Sequence, residues 1–524
     1  MPPPYPAITV PQTPAQIEAA LADLAASFPA LCTLDRFPDK SVEGRDIHFI
    51  KIANGSGSNR PVMVLIGGVH ARESAPPDAL IRFAQSVLVS HDGGSDITFP
   101  AMSCEPLPSG PAVDYPDFTI LASDVKRIID AVDLYIAPLI NPDGRLFDQL
   151  HPPSSFTGGW RKNRRAHADP AKIGVDLNRN HDIAWKFEDY YDMALYRADY
   201  PTGPAEAVDE SKDTYRGPSV ASEPETANVQ WIVDTKKPAF FVDIHQFGRK
   251  VLLPWGLEDN GDDPTMTFSS PAWTGKRDGL RPGSLSLPLT GPDYKEFVTD
   301  DAPHFVRKNL GFIGDTMRDA ILASAGVVLG STAPDPRRDH STFEVAQAAV
   351  LYHPVGGGPV TGTTHDYAFR KQFDDPARAP VFAFGIESGH EEEAGFHPDY
   401  ASPPGHYAKI EREIHAALIA LGTIAAKLGK PCLVATATTG TPDHPDVVTL
   451  RRFRDAWLGP RFDRCYYRIS PPVARYLLAH PWARAAVRHG LVGPAAALLR
   501  TFPEPATRAP GRTPPERTAP GRTD

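Results

Sequence analysis

A histidine and a glutamate stand three residues apart in GGVHARESAPPDAL (residues 67–80), immediately after the apolar run PVMVLIGG (61–68). Imidazole nitrogen and carboxylate oxygen both suit zinc. A hydrolytic zinc site needs three protein ligands and one open position for water. His70 and Glu73 supply two of the three. The pair says little alone: with 18 histidines in the chain, about one His-x-x-Glu is expected from composition. A second one, His390 and Glu393, stands in the acidic stretch GHEEEAGFHP. A third ligand has to come from the end of another strand, and His245 in FFVDIHQF is placed that way. A lone strand histidine is more often a satisfied structural residue, so the neighbourhood must decide.

GGWRKNRR (158–165) and GVDLNRNHD (174–182) carry the next clue. Arg161 and Arg179 offer planar guanidinium forks, which bind carboxylates bidentately. Arginine clusters are more often solvated charge. Here Asn178 stands beside Arg179 and the flank reads as strand-like, which suits a carboxylate clamp.

These residues need rigid elements. TPAQIEAALADLAAS (13–27) reads as an amphipathic helix with Thr13 as N-cap. CTLDRFPDKSVEGRDIHFIKIAN (32–54) reads as two strands joined near Glu43-Gly44. Residues 61–68 are a continuous apolar run, the mark of a strand buried on both faces. APPDALIRFAQSVLVS (75–90) reads as a helix with proline in its first turn. VKRIIDAVDLYIAPLINPDG (125–144) gives helix, buried strand, then a Pro-Asp-Gly turn. Residues 238–256 and 379–389 give two more buried strands. Alternation of buried strands with helices implies an α/β fold: a mixed, mostly parallel central sheet with helices on both faces. Such sheets bind ligands where the chain leaves the strands. His70, Asn141, His245 and Glu387 all stand at or next to such ends. The Pro/Gly/Asp-rich stretches 91–118 and 256–300 read as surface insertions.

Composition bounds the function. The 524 residues exceed one ordinary core. Hydrophobic content of 41% and charged content of 23% are globular values. A net charge of −10 gives no overall basic footprint for nucleic acid. The four cysteines form no C-x-x-C pair and no dense disulfide pattern. No signal peptide is visible at MPPPYPAITV and no run of about 18 apolar residues occurs, so a cytoplasmic protein without a transmembrane segment is expected.

H-x-R-E, N-P-D-G, W-R-K-N-R, G-V-D-L-N-R-N, D-I-H-Q-F with L-L-P-W-G, Y-H-P-V-G-G-G, G-T-T-H-D-Y-A-F and G-I-E-S-G appear in that order. Together they resemble the zinc carboxypeptidases of the A and B type, over residues 10–428. The resemblance implies one Zn2+ ion held by His70, Glu73 and His245, with Asp176 orienting the first histidine. It implies Asn178, Arg179 and Tyr352 as the clamp on the substrate's free C-terminal carboxylate. Arg72 becomes a further substrate contact. Arg161 becomes the oxyanion stabiliser and Glu387 the general base and acid. His365 falls in the pocket for the last side chain, where relatives often carry an apolar residue or aspartate. Protonated near pH 6, it would favour acidic side chains. The expected partner is a peptide or protein C-terminus.

Residues 429–503 resemble a bacterial C-terminal domain named the CFI box, opening here as Cys432-Leu433-Val434. A small, mainly helical region of unknown function is expected. Residues 504–524, with a repeated A-P-G-R-T, are expected to be a disordered tail. Two other functions fit the residues: an amidase on γ-glutamyl or cell-wall peptides, and an inactive peptide-binding homologue. The oligomeric state is left open.

Overall fold

In the computed structural model, the described residues are 5–55, 60–105, 111–256 (except 156, 190–192 and 194–202), much of 303–347, 360–374, 381–391, 395–400, 405–428 and parts of 438–500. The chain divides into two compact units, residues 1–425 and 426–524.

In the first unit, the helix Pro14–Ser27 starts at Thr13, whose hydroxyl caps Gln16 N while Gln16 reciprocates in a capping box. Strands β1 (Cys32–Arg36) and β2 (His48–Ile52) form an antiparallel pair. β3 (Val62–Gly67) follows, with all but its first residue buried. After the helix Ala75–Gly93 come two small ribbons. β4 (Ile97–Phe99) pairs with β7 (Phe118–Ile120), and β5 (Met102–Cys104) with β6 (Val113–Tyr115). The described residues of the stretch 91–118 thus end the helix at Gly93 and then form ribbons. Then come β8 (Asp133–Ala137), β9 (Phe240–Gln246), β10 (Lys250–Leu253), β11 (Glu344–Gln347) and β12 (Phe382–Ser388).

The main sheet runs β1-β2-β8-β3-β9-β12-β10-β11. Its four central strands, β8, β3, β9 and β12, are mutually parallel. Antiparallel pairs join β2 to β8 and β10 to β12, which makes the sheet mixed and mostly parallel. β9 is buried along its whole length, FFVDIHQ. A strand covered on both faces needs such an apolar run, so the polar residues Asp243 and His245 within it require partners.

Two local readings change. The N-P-D-G segment is no turn; it opens the helix Pro142–Leu150. Asn141 caps that helix by accepting from Gly144 N at 2.9 Å, and Pro142 takes the first helical position, where its missing N–H costs nothing. The V-D-L-N-R segment is no strand but a 3-10 turn, Leu177–Arg179, capped by Asp176. Residues 257–302 and 348–359 lie outside the described residues, and so does Tyr352. The expected tail 504–524 lies outside them too. Among the described residues, no helix is long and apolar enough to cross a membrane.

In the second unit, the helix Pro481–Val487, the turn Arg488–Val492 and the helix Gly493–Leu499 follow one another. Val492 and Val447 form a small core there, with Leu450 and Val487 against it.

Candidate active site

The parallel strands end on one edge of the sheet, and the ends of β3, β9 and β12 carry the chemistry. Gly68 follows β3 with φ +61; a Cβ there would come within 2.7 Å of Leu139. Only glycine lets the chain turn so tightly from the strand to His70. Ala71 N then donates to Arg161 O at 3.0 Å, which ties this segment to the W-R-K-N-R loop. His245 lies near the end of β9, and β12 runs beside it in parallel register with Glu387 directly opposite His245. Partners in register point to the same face.

His70, Glu73 and His245 converge. Their candidate donor atoms lie within 4.8 Å of one another, and all three residues are buried. His70 Nδ1 is 2.6 Å from Glu73 Oε1, and His245 Nδ1 is 3.0 Å from Glu73 Oε2. The two Nδ1 atoms are 3.2 Å apart. Four donors around one zinc at 2.0–2.1 Å stand about 3.3 Å apart at tetrahedral angles, so this spacing suits one ion. The donor chemistry agrees. Two imidazole nitrogens face each other and a carboxylate, where two N–H groups would clash and a shared cation would not.

Carboxylates lock both rings from behind. Asp176 Oδ1 lies 3.2 Å from His70 Nε2, and Asp243 Oδ2 lies 2.8 Å from His245 Nε2. A carboxylate there accepts the Nε2 proton and leaves Nδ1 free as a ligand. The second partner, Asp243, escaped the sequence reading. Its signal was present: residues i and i+2 of a strand share a face, so the D-x-H of β9 puts both side chains on one side. Asp243 also accepts from the Thr364 hydroxyl.

The electrostatics call for positive charge. Burial opposes ionisation of Glu73, but His70 and His245 hold its carboxyl far below the usual range. Burial opposes charge on His245 as well, yet Asp243 and Glu73 hold its imidazole well above the ordinary value. Burial likewise works against Asp176, while Arg161, Arg179 and His70 keep it well below the carboxylate range. Glu387 behaves in the opposite way. Burial, with Glu73 and Asp243 adding to it against His245 and Arg161, pushes its carboxyl up to about 7.

The arginines are fixed individually. Arg161 Nε donates to Asp176 Oδ2 at 3.0 Å, so one carboxylate orients both a histidine and this guanidinium. Arg179 is half-buried at the end of the 3-10 turn, its N donating to Asp176 O and its Nη1 to Asn178 O. Asn178 Oδ1 accepts from Thr364 N at 2.9 Å, and its Nδ2 lies 3.3 Å from His245 Nε2. Gly362, with φ +70, lets residues 360–365 approach: a Cβ there would stand 2.2 Å from Arg179 O. Arg72 stacks on Phe396 at 4.3 Å and pairs with Asp213 at 3.1 Å.

A narrow recess is lined by Asn178, Arg179, His245, Leu252, Thr363, His365, Gly385 and Glu387, with Val360 beside them. His365 is therefore in the expected pocket. Its expected titration is not: burial, with His245 and Arg179 nearby, lowers the imidazole to about 3, so it is neutral at pH 6 as at pH 8. Both ring nitrogens are buried without a hydrogen-bond partner among the described residues.

A sequence profile described as zinc carboxypeptidase matches residues 17–401. The chain belongs to the zinc carboxypeptidase family. Metallocarboxypeptidase A of Trichophyton rubrum is 29% identical over 231 residues, which is 43% of this chain and 43% of that protein. Carboxypeptidase O of Bos taurus is 25% identical over 230 residues, 43% of this chain and 47% of that one. The matched region thus spans less than half the length of these relatives. The crystal structure of thrombin-activatable fibrinolysis inhibitor shares the fold: TM-score 0.52, 15% identity, 79% of this chain and 74% of that one. The family's ion is zinc, and the donor set above fits it.

Proposed function

We propose that the chain is a zinc metallocarboxypeptidase that hydrolyses the C-terminal peptide bond of peptides or proteins. The observation that carries this reading is the triad His70, Glu73 and His245 beside a recess that holds both Glu387 and Arg179. In this reading the triad holds the ion. When bound, zinc supplies a Lewis acid that lowers the pKa of water to about 7 and polarises a carbonyl.

The remaining work falls to the chain's own side chains. Glu387, raised to about 7, takes a proton from the attacking water and returns it to the leaving amine; a pKa near the working pH serves both transfers. Arg161, aimed by Asp176, sets a fixed charge where the oxyanion develops. Arg179 and Asn178 hold the terminal carboxylate, which restricts cleavage to the last residue. Tyr352 is proposed to hold that carboxylate with them, and Arg72 to bind the substrate further from the scissile bond. The amidase alternative gains no separate observation.

The test compares free and C-terminally amidated peptides, in wild type and Arg179→Ala. The expected outcome is poor cleavage of amidated peptides, and a KM for free peptides raised about 10–100-fold in the variant through loss of a charged, bidentate pair. Chelation is expected to abolish turnover and zinc to restore it. Equal cleavage of free and amidated peptides overturns the exopeptidase reading.

A further inference from the structure

Asp176 and Asp243 stand behind the two histidines of the triad, but they are held in unlike ways. Asp176 is anchored on both oxygens: Oδ1 accepts from Asn178 N at 2.9 Å and Oδ2 from Arg161 Nε at 3.0 Å. Asp243 Oδ2 faces His245 Nε2 at 2.8 Å, while its Oδ1 is buried without a hydrogen-bond partner among the described residues. A carboxylate aims a ring only if something else aims the carboxylate. For Asp243, among the described residues, that anchor is the Thr364 hydroxyl, which donates to Oδ2.

Thr364 is itself rigidly set. It is fully buried and opens the helix Thr364–Asp374. The segment before it is tied down on both sides of Gly362, His181 N donating to Gly362 O and Gly362 N to Ile183 O. Its branched Cβ restricts χ1. Its main chain does other work. The first N–H groups of a helix have no intrahelical acceptor, and Thr364 N donates to Asn178 Oδ1 at 2.9 Å. A main-chain N–H can only donate, so Asn178 must turn its oxygen to the helix. Its Nδ2 then stays on the side of His245, in the wall of the recess. We propose that Thr364 is a positioning residue with two separable tasks. Its hydroxyl holds Asp243, and through it the ligand His245; its amide holds Asn178 of the carboxylate clamp. The inference rests on reading His70, Glu73 and His245 as the zinc site.

Thr364→Val keeps the branched shape and the amide and removes the hydroxyl. Thr364→Ala removes it without setting a methyl group against Asp243, and Thr364→Ser keeps it. Competition with a chelator reads zinc affinity; kcat and KM are read at saturating zinc on peptides with a free C-terminus. Changing a group behind a metal ligand typically weakens binding about 10–100-fold, and this hydroxyl acts one bond further out, so a loss of about tenfold is expected for Thr364→Val and Thr364→Ala. Their KM should stay within about twofold of wild type, because the amide still holds Asn178. Thr364→Ser should restore zinc affinity. A hydroxyl that served the fold alone would lower the melting temperature of Thr364→Val and Thr364→Ala and leave their zinc affinity unchanged, which would overturn the proposal. A KM raised as much as zinc binding is weakened, or a Thr364→Ser no better than Thr364→Ala, would overturn it too. Wild type that bound no zinc would remove the zinc site itself, whereas zinc-binding wild type with unaffected variants would remove only the role of Thr364.

Discussion

Asp176→Asn separates the two tasks of one carboxylate. Asp176 is fully buried; its Oδ1 faces His70 Nε2 at 3.2 Å and accepts from Asn178 N at 2.9 Å, while its Oδ2 accepts from Arg161 Nε at 3.0 Å. Two donors on the Oδ1 side fix the amide's orientation. The oxygen stays toward His70, and the NH2 turns toward Arg161. His70 keeps an acceptor but loses a charged one, and such a change behind a ligand typically weakens metal affinity about 10–100-fold, or about 1.4–2.7 kcal/mol. Arg161 fares worse. It loses a charge-assisted bond of about 1.5–3 kcal/mol and faces another donor. At saturating zinc, kcat/KM is therefore expected to fall a further 10–100-fold or so as Arg161 swings off the oxyanion position. Competition with a chelator reads the first effect, and turnover at saturating zinc reads the second. Adding Arg161→Met to the variant should cost far less than it does in wild type, because the two residues act as a pair. A zinc affinity and a kcat/KM both within twofold of wild type would refute the orienting role.

Glu387→Gln is expected to keep zinc and fold while kcat falls about 10²–10⁴-fold, since the amide cannot accept the water proton; a near-normal rate in protein free of wild type removes Glu387 from the mechanism. For His365, the Lys-to-Glu preference of wild type, read as kcat/KM for terminal Lys and Glu, is expected to stay constant between pH 6 and 8, because the ring is neutral throughout. His365→Asp is expected to shift that preference toward Lys by about 10–100-fold, and an unchanged ratio means that another residue selects. Glu225 is fully buried, accepts from Val42 N and Asn163 Nδ2, and is pushed by burial up to about 7. Between pH 4.5 and 7 the folded chain keeps a proton that the unfolded chain releases, so stability falls as pH rises through that window, by about 3 kcal/mol at most, and levels off above it. Glu225→Gln should flatten that fall in urea titrations at pH 5 and 8; equal slopes would refute the assignment.

What the sequence made legible follows from period and order. β3, β8, β9 and β12 are apolar runs of the length that a buried parallel strand needs; His70 follows the end of β3, and His245 and Glu387 stand in the last residues of β9 and β12. Strand ends are where an α/β sheet exposes side chains to a ligand, so three residues far apart in sequence could be read as one site. The local errors have one cause. N-P-D-G and V-D-L-N-R were read from turn and strand composition, yet Asn141 and Asp176 use their side chains to cap short helices, and capping competes with the pattern that composition suggests. Asp243 was missed because its neighbours are apolar, and only the strand's two-residue period reveals that it shares a face with His245.

The charge state of His365 was beyond the sequence, because it depends on burial by segments distant in the chain. The recess wall combines residues near 178, 245, 252, 360 and 385. Their burial of the ring disfavours its charged form, and Arg179 and His245 oppose its protonation against Asp243. A neutral ring whose nitrogens make no hydrogen bond among the described residues, with Nε2 3.4 Å from Asp366 Oδ1, has one donor and one acceptor to give. That chemistry rewards hydrogen bonding over charge. In the proposed reading, the last residue of a good substrate is then chosen by shape and hydrogen bonds, while Arg179 alone among these groups calls for a negative charge on the substrate.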